Sequence, residues 1–140
     1  MKKNVFIRIK GIQQIENEQD VTELYTQGLF YKKNNNYYIT YDESETTGYE
    51  GSKTTLKIEG NDKVTLMRSG AVKSHLIIQN GTRNVGHYGT NEGQLMVGVY
   101  TKQLNTDLTE NGGGVHFRYA LDINSTLVSE NEVFINVKTE

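Results

Sequence analysis

Apolar side chains in this chain recur at every second position, as in Val5, Ile7, Ile9; Tyr37, Ile39, Tyr41; Leu56, Ile58; Val64, Leu66; Leu95, Val97, Val99; and Val115, Phe117, Tyr119, Leu121, Ile123. A period of two belongs to a β-strand, whose successive side chains point to opposite faces. No stretch holds helical spacing over several turns. Asp20 to Tyr25 comes nearest, and Thr22 with the alternating run after it argues against a helix there. The pattern predicts strands over residues 3–12, 22–33, 36–45, 53–59, 63–69, 72–79, 82–88, 94–103, 114–123 and 132–138.

The segments between these runs are rich in residues that tolerate positive φ: Asn34-Asn35-Asn36, Gly60-Asn61-Asp62, Ser69-Gly70, Asn80-Gly81, Thr90-Asn91-Glu92-Gly93 and Asn111-Gly112-Gly113-Gly114. With 14 Gly and no Pro, the chain turns through flexible corners and not through rigid ones. Asn80-Gly81 is the sharpest signal and predicts a type I′ hairpin, which needs positive φ twice.

Strands joined in order by short loops make an antiparallel meander, and one this long splits into two sheets or curls until its edges meet. The reading is an all-β protein: one domain over residues 1–140 forming a single antiparallel meander β-barrel of about eight to ten strands. A two-sheet sandwich is the alternative. One face of nearly every strand is apolar, and the other is expected to carry Lys32, Lys53, Lys57, Lys102 and Glu59.

Composition adds exclusions. In 140 residues, 35% hydrophobic side chains supply one core. Fifteen Lys and Arg against 17 Asp and Glu leave a net charge of −2, with no global attraction to phosphate or to an anionic bilayer. The absence of Cys removes disulfides, thiolate catalysis and Cys-ligated metal sites. Arg8 and Lys10 interrupt the apolar run after Met1, Lys2 and Lys3, so no signal peptide or membrane span is expected, and the expected location is the cytoplasm.

The chemistry worth testing lies on the inward register. Arg68 continues Val64 and Leu66 with period two, and Glu43 continues Tyr37, Ile39 and Tyr41. A guanidinium on an apolar face needs a partner, and the economical arrangement is an Arg68–Glu43 pair with tyrosine hydroxyls taking the remaining donors and acceptors. That pair forms only if both are inside; strand-terminal charges usually reach out to water, so the leading reading keeps both at barrel ends. His75, His87 and His116 are scattered singly in the sequence, with no carboxylate at ligand spacing, so neither a metal nor any other cofactor is expected. Ser69, His87 and Asp122 can be written as a triad, yet no nucleophile elbow accompanies them. Gly112-Gly113-Gly114 precedes a strand and is a hairpin tip, not a phosphate cradle. Asn80-Gly81-Thr82 and Asn124-Ser125-Thr126 are chance glycosylation patterns. Nine Tyr and four Phe raise the question of nucleic acid, but Asp42, Glu43 and Glu45 beside Tyr37, Tyr38 and Tyr41 would repel a phosphate backbone.

Met67-Arg68-Ser69-Gly70-Ala71-Val72-Lys73 resembles the signature of the YwiB-like bacterial family, an uncharacterised family with a calycin-like (lipocalin-like) β-barrel. Tyr38 through Glu43 resembles its Tyr-rich, acid-terminated third strand. Gly93 through Thr101 resembles its Gly-led strand, and Val115 through Asp122 its penultimate long strand. The resemblance implies the fold, a cytoplasmic bacterial setting and positions to watch: Glu43, Arg68, Tyr88, Thr90 and Tyr119. It implies no activity. Asn91 stands where the family pattern leads one to expect Pro.

Three functional classes follow. The preferred one is a non-catalytic barrel whose cavity, lined by Tyr37, Ile39, Tyr41, Leu66, Val97, Phe117 and Tyr119, accepts a small amphipathic molecule while Arg68 meets its anionic or carbonyl end. The candidate ligand-binding residues are Arg68, Glu43, Tyr41, Tyr88, Thr90 and Tyr119. The second is a solid barrel whose outer face docks a protein or a second copy of itself as a homodimer. An enzyme with Glu43 as base and Arg68 as electrostatic stabiliser is the third and weakest, because an arginine partner holds a carboxylate in its ionised form.

Overall fold

A computed structural model of the chain describes residues 2–90 and 92–140, and Asn91 of the expected Thr90–Gly93 turn lies outside them. Ten strands follow one another: β1 (Lys3–Ile15), β2 (Glu18–Lys33), β3 (Asn36–Asp42), β4 (Ser52–Glu59), β5 (Lys63–Gly70), β6 (Ser74–Gln79), β7 (Arg83–Thr90), β8 (Gly93–Thr109), β9 (Gly112–Ile123) and β10 (Thr126–Thr139). Each pairs antiparallel with its neighbour in sequence, and β10 returns to pair with β1, closing a barrel. The connections after β1, β3, β5, β7 and β9 gather at one rim, here the upper. Those after β2, β4, β6 and β8 form the lower rim with both termini.

The alternating pattern becomes the inner wall. Val5, Ile7, Ile39, Leu56, Ile58, Val64, Leu76, Ile78, Val97, Val99, Val115, Phe117, Ile135 and Val137 are buried and form one core cluster with Phe30, Tyr41 and Leu104. Burying a Val, Leu, Ile or Phe side chain is worth about 1.5–3 kcal/mol, which makes this continuous wall the main force closing the barrel.

Several expected boundaries move. β2 begins at Glu18, not 22, because residues 18–28 are held by β1 alone, while β3 pairs β2 only from Leu29 to Lys33. Beyond Leu29 the β2 edge runs on toward the upper rim without β3, while β1 stays paired with β10 as far as Gln14. β8 runs on to Thr109 and β10 starts at Thr126, each through a bulge that absorbs one residue, between Thr101 and Gln103 and between Leu127 and Ser129. Such an extra residue breaks the period of two that reading by alternation relies on. The third strand ends at Asp42, and Glu45–Thr47 is a single 3-10 turn.

Two further expectations are corrected. Positive φ occurs twice in succession at Asn34-Asn35 and at Asn124-Ser125, but at 80–81 only Gly81 has it (φ 73°), so the Asn80-Gly81 corner is not type I′. The corner instead follows β8: Gly81 N–H donates to Thr101 O at 2.9 Å, and Thr101 N–H donates to Thr82 O at 3.2 Å. Lys32 stands in register with Phe30 on the inner face, where the wall meets solvent at the lower rim, and its ammonium lies 5.6 Å from the Tyr37 ring.

Candidate functional site

Period two continues into the upper rim with polar residues in the inward positions. Tyr41 of β3, Thr54 of β4, Arg68 of β5 and Ser74 of β6 are successive cross-strand partners, forming one row across four strands. Glu43 follows one inward step after Tyr41, its N–H donating to Ser52 O at 2.8 Å. The row brings charge and carboxylate together: Arg68 Nη2 lies 3.2 Å from Glu43 Oε2, and Nε donates to Glu43 Oε2 at 3.3 Å and to Thr54 Oγ1 at 3.1 Å. The Thr54 hydroxyl donates in turn to Glu43 Oε2. The Arg68 side chain is 9% exposed and that of Glu43 1%, so the pair is inside the protein and not at its edge.

The β3–β4 connection closes over this pair. Gly48 (φ 83°) and Gly51 (φ 87°) take backbone conformations that favour glycine, and between them Tyr49 lays its ring 3.9 Å from Arg68 Cζ, in cation–π contact. The Tyr49 hydroxyl shares a hydrogen bond with Tyr88 of β7. Burial pushes the Tyr41, Tyr88 and Tyr119 phenols above the usual tyrosine range, helped at Tyr41 by the Glu43 charge and at Tyr88 by the bond to Tyr49; Tyr119 reaches about 12. All three are neutral hydroxyls near neutrality. Ser44 Oγ, next to Glu43, is buried with no hydrogen-bond partner among the described residues.

Of the six residues named from sequence, the structure gathers Arg68, Glu43, Tyr41, Tyr88 and Tyr119 at this rim. Thr90 is occupied elsewhere: its hydroxyl donates to Gly93 O at 2.8 Å and accepts from Glu92 N–H at 3.1 Å, closing the β7–β8 turn. Tyr49 and Thr54 were missed. Thr54 was available from the inward register of Leu56 and Ile58. A lone tyrosine between Gly48 and Gly51 has no periodic signal, and the fold alone brings it over Arg68. The residues written as a triad are dispersed: Asp122 is held by Arg83 at 2.7 and 3.0 Å, and His87 faces His75.

The seven side chains expected to line a cavity all lie in or against the packed core cluster. Hollows occur on the outer wall, at the lower mouth and, with a volume of about 190 Å³, beside Tyr119 between β1, β2 and β10. One of about 520 Å³ spans β1, β10, β9 and β8 beside Arg8, Lys10, His116 and Phe134, and one of about 250 Å³ sits at the stacked Phe30–Tyr37 pair with Lys3 and Lys32. Tyr38, read from sequence as framed by acids, stacks on Tyr31 beside Lys2, Lys32 and Lys33, while Tyr41 and Glu43 turn inward. No helix among the described residues is long and apolar enough to cross a membrane.

A closed ten-stranded antiparallel barrel with an arginine–carboxylate pair sealed under one rim makes this a small all-β barrel protein. Residues 7–135 match the family described as "Domain of unknown function (DUF1934)", and the chain belongs to that family. It is 29% identical over 119 residues to the uncharacterized beta-barrel protein YwiB of Bacillus subtilis (strain 168), covering 85% of this chain and 82% of that one. The crystal structure of the ywiB protein from Bacillus subtilis superposes with a TM-score of 0.87 at 25% identity, covering 99% of this chain and 93% of that one.

Proposed function

We propose that the upper-rim cluster around Arg68, once Tyr49 moves aside, is a small-molecule site of a non-catalytic binding barrel. The ligand is amphipathic, and its carbonyl or anionic end meets Arg68. The observation that carries the reading is a guanidinium held inside the barrel by one carboxylate and one hydroxyl, with an aromatic lid across its face. The described hydrogen bonds use Nε and the ion pair uses Nη2, the edge facing Glu43 and Thr54, so a ligand oxygen would address the other edge once Tyr49 swings out on Gly48 and Gly51. Apolar residues of similar volume would close the rim at no greater cost in stability than a buried ion pair, so mere closure does not account for the pair. Tyr41, Tyr88 and Tyr119 supply hydroxyls to an otherwise apolar wall, the mixture typical of small-molecule sites.

A second reading has support of its own. The interior is packed, and Val85, Leu95, Met96 and Tyr100 expose apolar surface on and around β7 and β8. In this reading the barrel is a scaffold that docks a protein or a second copy of itself, and the pair only sets strand register.

Native mass spectrometry of the purified protein separates the two. The binding reading expects a retained small molecule that disappears from a folded Arg68→Ala variant. A ligand-free mass for the unaltered protein, with a subunit count that Arg68→Ala leaves unchanged, would overturn it in favour of the scaffold.

A further inference from the structure

The outer wall around β6 gathers imidazole and thioether groups that the sequence keeps apart. Met67 is the cross-strand partner of His75, His75 of His87, and His87 of Met96, so a single row runs Met–His–His–Met over β5, β6, β7 and β8. Directly opposed residues of neighbouring strands share a face, with Cβ atoms roughly 5 Å apart. The face is the outer one, since Leu76 beside His75 and Val97 beside Met96 are core residues. Both histidines are exposed, and Met96 is 65% exposed.

The backbone sets this meeting. Gly86 and Gly89 bracket His87, and a Cβ at either would lie 2.4 Å from His75 O or 2.1 Å from Lys73 O, so their lack of a side chain lets β7 close onto β6. Gly89 N–H then donates to Ser74 Oγ at 2.9 Å, beside His75. His75–His87 is the register pair described between these strands. Neither histidine is engaged in the side-chain hydrogen bonds described for the chain, whereas His116 is stacked 4.3 Å from Phe134 and bonded to Glu132 at 2.7 Å.

Paired imidazoles suit copper, zinc and nickel, and a thioether neighbour shifts the preference to the soft ion Cu(I). The row contains no carboxylate, and no group of three or more His, Cys, Asp or Glu side chains among the described residues is placed to hold a metal, so the methionine is what makes a third ligand. Strands stand about 4.8 Å apart, and four of them spread the row over about 14 Å, too far for one ion to reach both methionines. An ion above His87 is within reach of His75 on one side and Met96 on the other. We propose that His75, His87 and Met96 form a surface site for one Cu(I) ion.

The test is an anaerobic titration of the full chain with Cu(I) against a chromophoric Cu(I) chelator, with circular dichroism confirming that each variant stays folded. The expected result is withdrawal of one Cu(I) per chain from the chelator. That withdrawal should be lost in His75→Ala and in His87→Ala, be weakened in Met96→Leu, and persist in His116→Ala. The proposal is overturned if the chelator keeps its copper, or if the folded His75→Ala/His87→Ala double variant withdraws as much as the unaltered chain. Equal Cu(I) retention by Met67→Leu/Met96→Leu overturns the thioether assignment, which X-ray absorption checks directly through a sulfur scatterer on the bound ion.

Discussion

At the lower rim the barrel is closed by apolar and aromatic side chains: Val64 is fully buried, Ile58 is 1% exposed, and Phe30 stacks on Tyr37 at 5.3 Å. At the upper rim the same inward positions hold Tyr41, Thr54, Arg68 and Glu43, and the lid is a tyrosine ring on a guanidinium. The first arrangement tolerates the loss of a few atoms, because dispersion and area are spread over many contacts. The second depends on completeness, because a charge left alone in a dry site keeps its full desolvation cost. The difference between the rims can be broken or sharpened by substitution.

The largest effect is expected from Glu43→Ala, which leaves Arg68 buried without its carboxylate and should cost about 3–5 kcal/mol in urea unfolding. The double variant Glu43→Leu/Arg68→Met should recover most of that loss. If it is as unstable as the single variant, the pair contributes net stability and the contrast between the rims is wrong. Next comes alkaline pH. The unfolded chain releases tyrosine protons near pH 10, while Tyr41, Tyr88 and Tyr119 hold theirs to higher pH, Tyr119 to about 12. Their contribution is complete below pH 10 and lost as pH rises through the folded values, so unfolding stability should fall steeply above pH 10. In absorbance titration these phenols should ionise last, and only as the fold is lost.

Smaller still is Ile39→Val in the apolar wall. It removes one methylene from a site with no exposure and should cost about 1 kcal/mol by the same urea measurement. Smallest is Arg83→Ala. Its pair with Asp122 is well aligned at 2.7 Å, but the arginine is 44% exposed, and the unfolding midpoint should scarcely move.

The two regions were not equally readable in the linear chain. The wall was plain because alternation is a local property: Val5, Ile7 and Ile9 or Val115, Phe117 and Tyr119 declare their face within five residues. The register of Arg68 and Glu43 followed from the same rule, and the structure places both inside and in contact. Thr54 was within reach of that rule. Tyr49 was not, since nothing in Gly48-Tyr49-Glu50-Gly51 says which wall the loop folds over. The bulges at Lys102 and Val128 also escaped, because one inserted residue looks locally like a strand that has ended. Lys32 was assigned outward from its charge, whereas the register puts it inward at the point where the wall opens to water.

The sequence alone determined that this is an all-β antiparallel meander, and that a cation and a carboxylate continue the apolar register at two strand ends; closure into a barrel and burial of that pair were decided by the tertiary structure. The meander and the register are consequences of period two and of turn chemistry, which act over a few residues. Tertiary structure decided which distant residues share a neighbourhood: Arg68 with Glu43 and Tyr49, Tyr49 with Tyr88, and the two histidines with the two methionines. Those meetings depend on strand register and on the curvature of the closed sheet, both set only when all ten strands have paired around one core.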